Sequence, residues 1–296
     1  MKNLIIIGAG PAGLTAAIYA KRYNLDFLII GQTPGGTAIE AYQVKNYPGF
    51  KSISGLDLMQ KFQEQLGCKI IQENIEKITK DFLVYTSKNQ YKTKSLILAM
   101  GSKNRKLGLE NEEKFLGRGI SYCVTCDGPL FKDKITAVVG GGNAALTGAL
   151  ELADIAKKVY LIHRRDEFRA DPIWQGKVKK NKKIEIILKS QVIQIKGDKV
   201  LEKIILDSNQ ELGVSGLFIE IGTTPSSGLA QDLAIALEND FIIVDKNQAT
   251  NIPGVFAAGD ITNNPLKQII SACGQGAVAA FSAFQYKNLS LRSRTF

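Results

Sequence analysis

Histidine and tryptophan are almost absent from this chain, one of each in 296 residues. Proline is scarce at 8 and cysteine at 4. The lone histidine, His163, leaves little from which to build structural zinc, which needs four ligands and usually a second Cys/His pair. Few prolines and no low-complexity stretch argue against a flexible linker protein, so joints between domains must be short. Two cysteines form a CxxC and two are isolated. That usage fits a reducing compartment with one special pair better than a secreted disulfide framework. No long apolar run is present either. The uncharged stretch of residues 4–20 is short for a membrane span and is broken by Gly8, Gly10, Pro11 and Gly13. With no other targeting signal, the cytoplasm is the expected location.

What remains is ordinary globular material: 45% hydrophobic, 22% charged and 8% aromatic residues. The length suggests about two domains. Lysine and arginine total 38 against 28 acids, a net charge of +10. Such a surface attracts anions, whether nucleotides, nucleic acid or acidic proteins, although lysines often only solvate a surface. No basic helix interleaved with aromatics is seen, so nucleic-acid binding is not expected. The densest basic run, residues 177–183 (KVKKNKK), precedes a strand-like IEIIL and reads as an exposed turn. Many of the 28 glycines cluster in short loops, which suits tight phosphate turns.

Residues 3–7 (NLIII) form a short continuous apolar run, suited to a parallel strand buried on both faces. GAGPAG follows, then an alanine-rich helical segment (14–23) and a second strand (26–30). This is a βαβ unit. The pattern recurs: strand 134–139, GGGNAA, helix 146–156, strand 159–163. Further strands are expected at 95–100, 216–221 and 254–258, a helix at 57–66, and a turn into a small-residue helix over 265–280. The expected fold is α/β, with two Rossmann-like nucleotide-binding domains.

Gly8, Gly10 and Gly13 make a GxGxxG with Pro11 and Ala12 inside it. A pyrophosphate needs close backbone approach and free N–H donors at a helix N-terminus, and glycines permit both. The setting, after a strand and opening a helix, is the one that gives this motif meaning. The acid that often binds ribose at the end of the second strand is missing, since that strand ends at Gly31. The second loop, Gly140, Gly142, Asn143, Ala144 and Ala145, is a GxGxxA, an accepted variant. Beyond it stand His163, Arg164, Arg165 and Arg169 where NAD sites carry an acid. A guanidinium pairs well with a 2′-phosphate, so NADPH is favoured over NADH. Cys123 and Cys126 form the CxxC, followed by Asp127. CxxC can hold zinc or exchange disulfides; the shortage of further ligands argues against a metal. A redox pair needs an ionisable thiol and a nearby proton carrier, and Asp127 is placed to be that carrier. Gly259-Asp260 after a strand end can hold a sugar hydroxyl. Cys68 and Cys273 read as small packing residues, and Trp174 is given no role.

These motifs, in this order, resemble the low-molecular-weight thioredoxin reductases. The likeness spans nearly the whole chain and rests on GAGPAGLTAAIYA (8–20), GGTAIEAYQVKNYPG (35–49), GRGISYCVTCDG (117–128), VVGGGNAALTGALELADIAKKVYLIHRRDEFRA (138–170) and GVFAAGD (254–260). The resemblance implies an FAD domain (1–104 with 224–296) interrupted by an NADPH domain (105–223) carrying the CxxC. It implies that NADPH reduces FAD, FAD reduces the CxxC disulfide, and the dithiol reduces thioredoxin. Cys126 would face the flavin, Cys123 would attack the substrate and Asp127 would handle protons. Asp260 would hold the ribityl chain. Gly31, Gly35, Gly36, Thr37, Asn46, Gly101 and Gly259 would line FAD with the backbone of Lys267, Gln268 and Ile269. The resemblance also implies a homodimer. Departures fall on the FAD side: Thr37 for glutamine, Met100 for threonine, Lys267 for arginine and Ile269 for alanine. The NADPH motifs are intact, unlike those of flavin-dependent relatives that use ferredoxin or a second flavin. Two rival readings are a reductase of another disulfide protein, glutaredoxin-like or a peroxiredoxin partner, and a flavin redox sensor without turnover.

Overall fold

The computed structural model describes residues 1–41 and 44–292. Tyr42 and Gln43, within the 35–49 segment, lie outside the described residues. The chain divides into two compact units, one of residues 1–103 and 224–296, the other of residues 104–223. The strands of the two parallel sheets are β1 (Leu4–Ile7), β2 (Phe27–Ile30), β3 (Leu96–Leu98), β4 (Ile120–Ser121), β5 (Ile135–Val139), β6 (Lys158–His163), β7 (Ile184–Leu188), β8 (Gly216–Ile219) and β9 (Val255–Ala257). The α-helices of the described residues are α1 (Pro11–Arg22), α2 (Gly55–Leu66), α3 (Val124–Asp127), α4 (Asn143–Ile155), α5 (Pro172–Lys180), α6 (Gly228–Asp232) and α7 (Ile269–Arg292).

In the first unit the sheet order is β9-β3-β1-β2, all parallel. Alternate residues of β1 serve opposite faces: Leu4 and Ile6 join the core under α1, α2 and α7, whereas Ile5 and Ile7 join a second core on the other side. A strand buried on both faces needs an unbroken apolar run, which is what LIII supplies. In α1, Ala12, Leu14, Ala16, Ala17 and Ala20 are buried, and small side chains let α7 lie close. In the second unit the order is β7-β6-β5-β8-β4, again all parallel. Val138 faces the α4 side and Ala137 and Val139 the other. The α/β expectation is met in both sheets.

The internal duplication is deeper than the two βαβ units. Each unit also carries a three-stranded antiparallel meander, at residues 75–92 in the first and 192–213 in the second. Their strands are short and irregular in pattern, with a register shift in each, so periodicity alone did not mark them.

Three local readings are corrected. Residues 177–180 are not a turn; they form the last turn of α5, where lysines suit the helix C-terminus and Lys177 lies 4.6 Å over the Trp174 ring. Cys68 is exposed rather than in the core, because Gly67 closes α2 in the left-handed conformation and turns the chain outward. The final helix does not stop at residue 280 but continues as α7, since no glycine or proline follows to end it.

Candidate active site

The two glycine loops open helices whose N-termini carry no side-chain cap. Helix α2 is capped by Ser54, whose Oγ accepts the Asp57 N–H at 3.0 Å. Helices α1 and α4 begin at Gly10 and Gly142 with no side-chain cap and no acid in the first turn. Their first N–H groups and the positive helix end are left for an anion. The glycines are dictated by contact: Gly8 has φ +107°, and a methyl on Gly13 would land on the Gly8 carbonyl oxygen.

In the first unit Gly31, Gly35, Gly36 and Gly259 gather at this loop. Gly35 N–H donates to Ala9 O at 2.7 Å, and Gly36 lies against Gly10. A Cβ on Gly259 would stand 3.0 Å from that of Ala12. Gly31 explains the missing acid: a side chain there would sit 2.7 Å from Ala9 N. Gly101, with φ +68°, accepts the Ser226 N–H at 3.0 Å. Burial pushes the Asp260 carboxyl up, and the Lys267 ammonium partly pulls it back. Lys267 itself donates to Asp260 O at 3.2 Å and to Thr262 O, and lies 4.3 Å over the Phe241 ring. Asn46 Nδ2 donates to Gln268 Oε1 at 2.9 Å, joining those two segments. Ile269 opens α7. Thr37 is exposed in a short 3-10 turn.

In the second unit Arg169 and Ala170 N–H both donate to Gly141 O, at 2.7 and 3.2 Å, so the arginine segment is tied to the glycine loop. Arg164, Arg165 and Arg169 are exposed and their charges surround His163. His163 is buried, with its ring stacked on Phe168 and pressed against Gly141. Its basicity is lowered, chiefly by burial and further by the arginines, and Nε2 has no hydrogen-bond partner. Asn143 is occupied otherwise: its side chain exchanges two hydrogen bonds with Asp171. Its backbone N–H, with those of Ala144 and Ala145, lies at the uncapped start of α4.

Cys123 and Cys126 are closed as a disulfide, Cα atoms 5.3 Å apart. Cys123 is the N-cap of α3, and its Sγ accepts the Cys126 N–H at 3.2 Å. Asp127 ends the same turn. Its Oδ2 accepts from Ser121 Oγ at 2.7 Å, whereas Oδ1 is buried without a partner. Burial raises the carboxyl's pKa and the Ser121 bond lowers it. A carboxyl with one anchored oxygen and one bare oxygen beside a disulfide can hold and pass a proton. Among the described residues no group of three His, Cys, Asp or Glu could hold a metal ion.

The family model for pyridine nucleotide-disulphide oxidoreductases matches residues 2–276. The thioredoxin reductase of Listeria monocytogenes is 40% identical, over 96% of this chain and 93% of its own. The crystal structure of thioredoxin reductase from Streptococcus pyogenes is similar with a TM-score of 0.89 and 38% identity, covering 97% of this chain and 98% of that one. This chain belongs to the thioredoxin reductase family. The thioredoxin reductase of Bacillus subtilis, 37% identical over 96% of this chain and 94% of its own, agrees.

For a thioredoxin reductase, several supporting residues escaped the sequence reading. Ser121 anchors Asp127. Gln275 on α7 takes the Gly259 N–H with Oε1 at 2.7 Å, steadying the Asp260 loop. Glu112, nearly buried, accepts the Gly108 N–H at 2.8 Å and the Tyr122 hydroxyl at 2.5 Å, bracing the residue before Cys123. Thr125 Oγ1, inside the CxxC, donates to Glu151 Oε2 at 3.2 Å. Only the proximity of Ser121 to the CxxC could have signalled any of these.

Proposed function

We propose that this chain reduces the disulfide of thioredoxin with NADPH and FAD, through Cys123 and Cys126. The observation that carries the reading is the closed CxxC disulfide with the buried, half-bare Asp127 carboxyl beside it, in a member of this family. The cradles fit two dinucleotides. FAD would lie on the uncapped start of α1 in residues 1–104 with 224–296, its ribityl chain at Asp260. NADPH would lie on the uncapped start of α4 in residues 105–223, its 2′-phosphate at Arg164, Arg165 and Arg169. When bound, FAD carries the reducing equivalents of NADPH to a disulfide. The chain's own residues do the rest. Cys126 is the sulfur on the flavin side, Cys123 attacks the thioredoxin disulfide, and Asp127 Oδ1 holds the proton that a departing thiolate needs.

The protein acts as a homodimer in the cytoplasm. Tyr19, Val278 and Phe281 are exposed, and Tyr19, Tyr23 and Phe281 form one aromatic row along α1 and α7. That apolar face suits a second copy. No helix among the described residues is long and apolar enough to cross a membrane, and an exposed free Cys68 suits a reducing compartment.

An anaerobic NADPH titration of the flavin band tests the function. Uptake of about four electrons per chain is expected, two for the flavin and two for the disulfide. Cys126→Ser should take up about two and lose thioredoxin reduction. Wild-type uptake of about two, or a Cys126→Ser protein that still reduces thioredoxin, overturns the reading.

A further inference from the structure

The segment that carries Arg169 is held to the second glycine loop by side chains as well as by backbone. Arg169 and Ala170 N–H both donate to Gly141 O. From the start of α4, Asn143 Oδ1 accepts the Asp171 N–H at 2.8 Å, and Asn143 Nδ2 donates to Asp171 Oδ2 at 3.0 Å. From α5, Gln175 Nε2 donates to Ala170 O at 2.8 Å and to Phe168 O at 3.3 Å. Phe168 and Ala170 are buried, and Arg169 between them is exposed. The backbone on both sides of Arg169 is therefore fixed against the loop.

Asp171 is the N-cap of α5, a position whose carboxylate usually accepts an N–H of its own helix. Here the side chain caps nothing, and its Oδ2 is engaged by Asn143. Helix α5 forgoes a cap so that the residue two places after Arg169 can bind the glycine loop. The side chain of Asn143 is committed to the same bond pair.

We propose that Asn143 and Asp171 are positioning residues for the 2′-phosphate of NADPH: their reciprocal clamp holds the Arg169 backbone at the glycine loop, and so sets the preference for NADPH over NADH. The proposal rests on the placement of NADPH at the start of α4 with Arg169 at its 2′-phosphate. A guanidinium recognises phosphate by direction as well as by charge, so its contribution depends on where its backbone is fixed. The pyrophosphate is common to both nucleotides. It would be bound by backbone N–H groups of the loop, which the Asn143 side chain does not supply. Loosening residues 168–171 therefore weakens NADPH and spares NADH. The Asp171 carboxylate has the wrong sign to bind a phosphate itself, and its part is that of an acceptor for Asn143.

The test is calorimetric titration of the flavin-loaded protein with NADP+ and, separately, with NAD+, which differ by the 2′-phosphate alone. It needs neither thioredoxin nor turnover. Asn143→Ala removes both bonds of the clamp. It should weaken NADP+ on the order of five- to ten-fold and change NAD+ by less than about two-fold. Asp171→Ala removes only the bond to Oδ2 and should shift the same ratio less. Asp171→Asn keeps an acceptor for Asn143 and should restore the ratio of the unmodified protein. A damaged fold weakens both nucleotides alike, so the ratio separates positioning from stability. Should Asn143→Ala not fold, the two Asp171 variants decide. Equal weakening of the two nucleotides, an unchanged ratio, or an Asp171→Asn protein that behaves as Asp171→Ala overturns the proposal. Unmodified protein that binds NADP+ no tighter than NAD+ overturns the arginine assignment and the proposal with it, and that outcome is read before any variant is compared.

Discussion

Asp127 shows how much one oxygen atom can carry. Ser121 ties Oδ2 in place, and the buried Oδ1 is left bare. Asp127→Asn keeps the size but cannot transfer a proton, and should slow thioredoxin reduction on the order of 10²-fold. NADPH reduction of the flavin should be untouched in stopped-flow traces. Ser121→Ala removes the interaction that lowers the Asp127 pKa, so the alkaline fall in turnover should move to higher pH. Stability follows the same sign. The folded state keeps a proton that the unfolded chain releases above the ordinary carboxylate range. This contribution is therefore present at low pH and lost as pH rises through the raised folded pKa. Asp127→Asn should flatten that loss in pH-dependent thermal melts. The arginines act at this scale too. Arg164→Ala with Arg169→Ala should raise the KM for NADPH about ten-fold, since two charge-assisted bonds to phosphate are removed. The KM for NADH should scarcely move in the same steady-state assay.

At the scale of elements, close approach decides. Helix α7 crosses α1 at Gly276, where a methyl would land on the Ala12 carbonyl. Ala12 lies within the first glycine loop's helix start, so packing and cofactor binding are coupled there. Gly276→Ala should cost about 1–3 kcal/mol through forced separation of the helices. A lowered Tm and weaker FAD retention, read by absorbance after gel filtration, are the expected outcome. The same logic explains Gly31. The ribose acid usual at the end of such a strand has no room, because β2 ends against Ala9. Short α3 depends on its neighbours: with one turn it has little intrinsic stability, and Ser121 and Glu151 supply what the helix cannot.

For the whole molecule, the two units repeat one plan, a parallel sheet, a glycine loop opening a helix, and an antiparallel meander. Each leaves a helix N-terminus without a protein cap. Association adds a further level. Phe281→Glu places a charge on the aromatic row of α1 and α7, and should halve the mass measured by sedimentation equilibrium. An unchanged mass would remove this face as the dimer contact.

The sequence by itself determined the features whose chemistry is local. A phosphate loop needs glycines at given spacings between a strand and a helix, and a redox pair needs two cysteines one turn apart. Gly8 to Gly13, Gly140 to Ala145 and Cys123 to Cys126 were legible for that reason, as were β1 and β5, whose apolar runs have only one stable place. Tertiary structure decided what depends on partners distant in the chain. Glu151 is an ordinary acid in the sequence. It meets the CxxC only because α4 packs against α3. Gln275 reaches the Gly259 N–H only because α7 returns across α1. Cys68 looked like a core residue until a left-handed Gly67 turned it outward. A residue's chemistry is written in its type; its neighbours, its burial and hence its charge state follow from where the chain folds back.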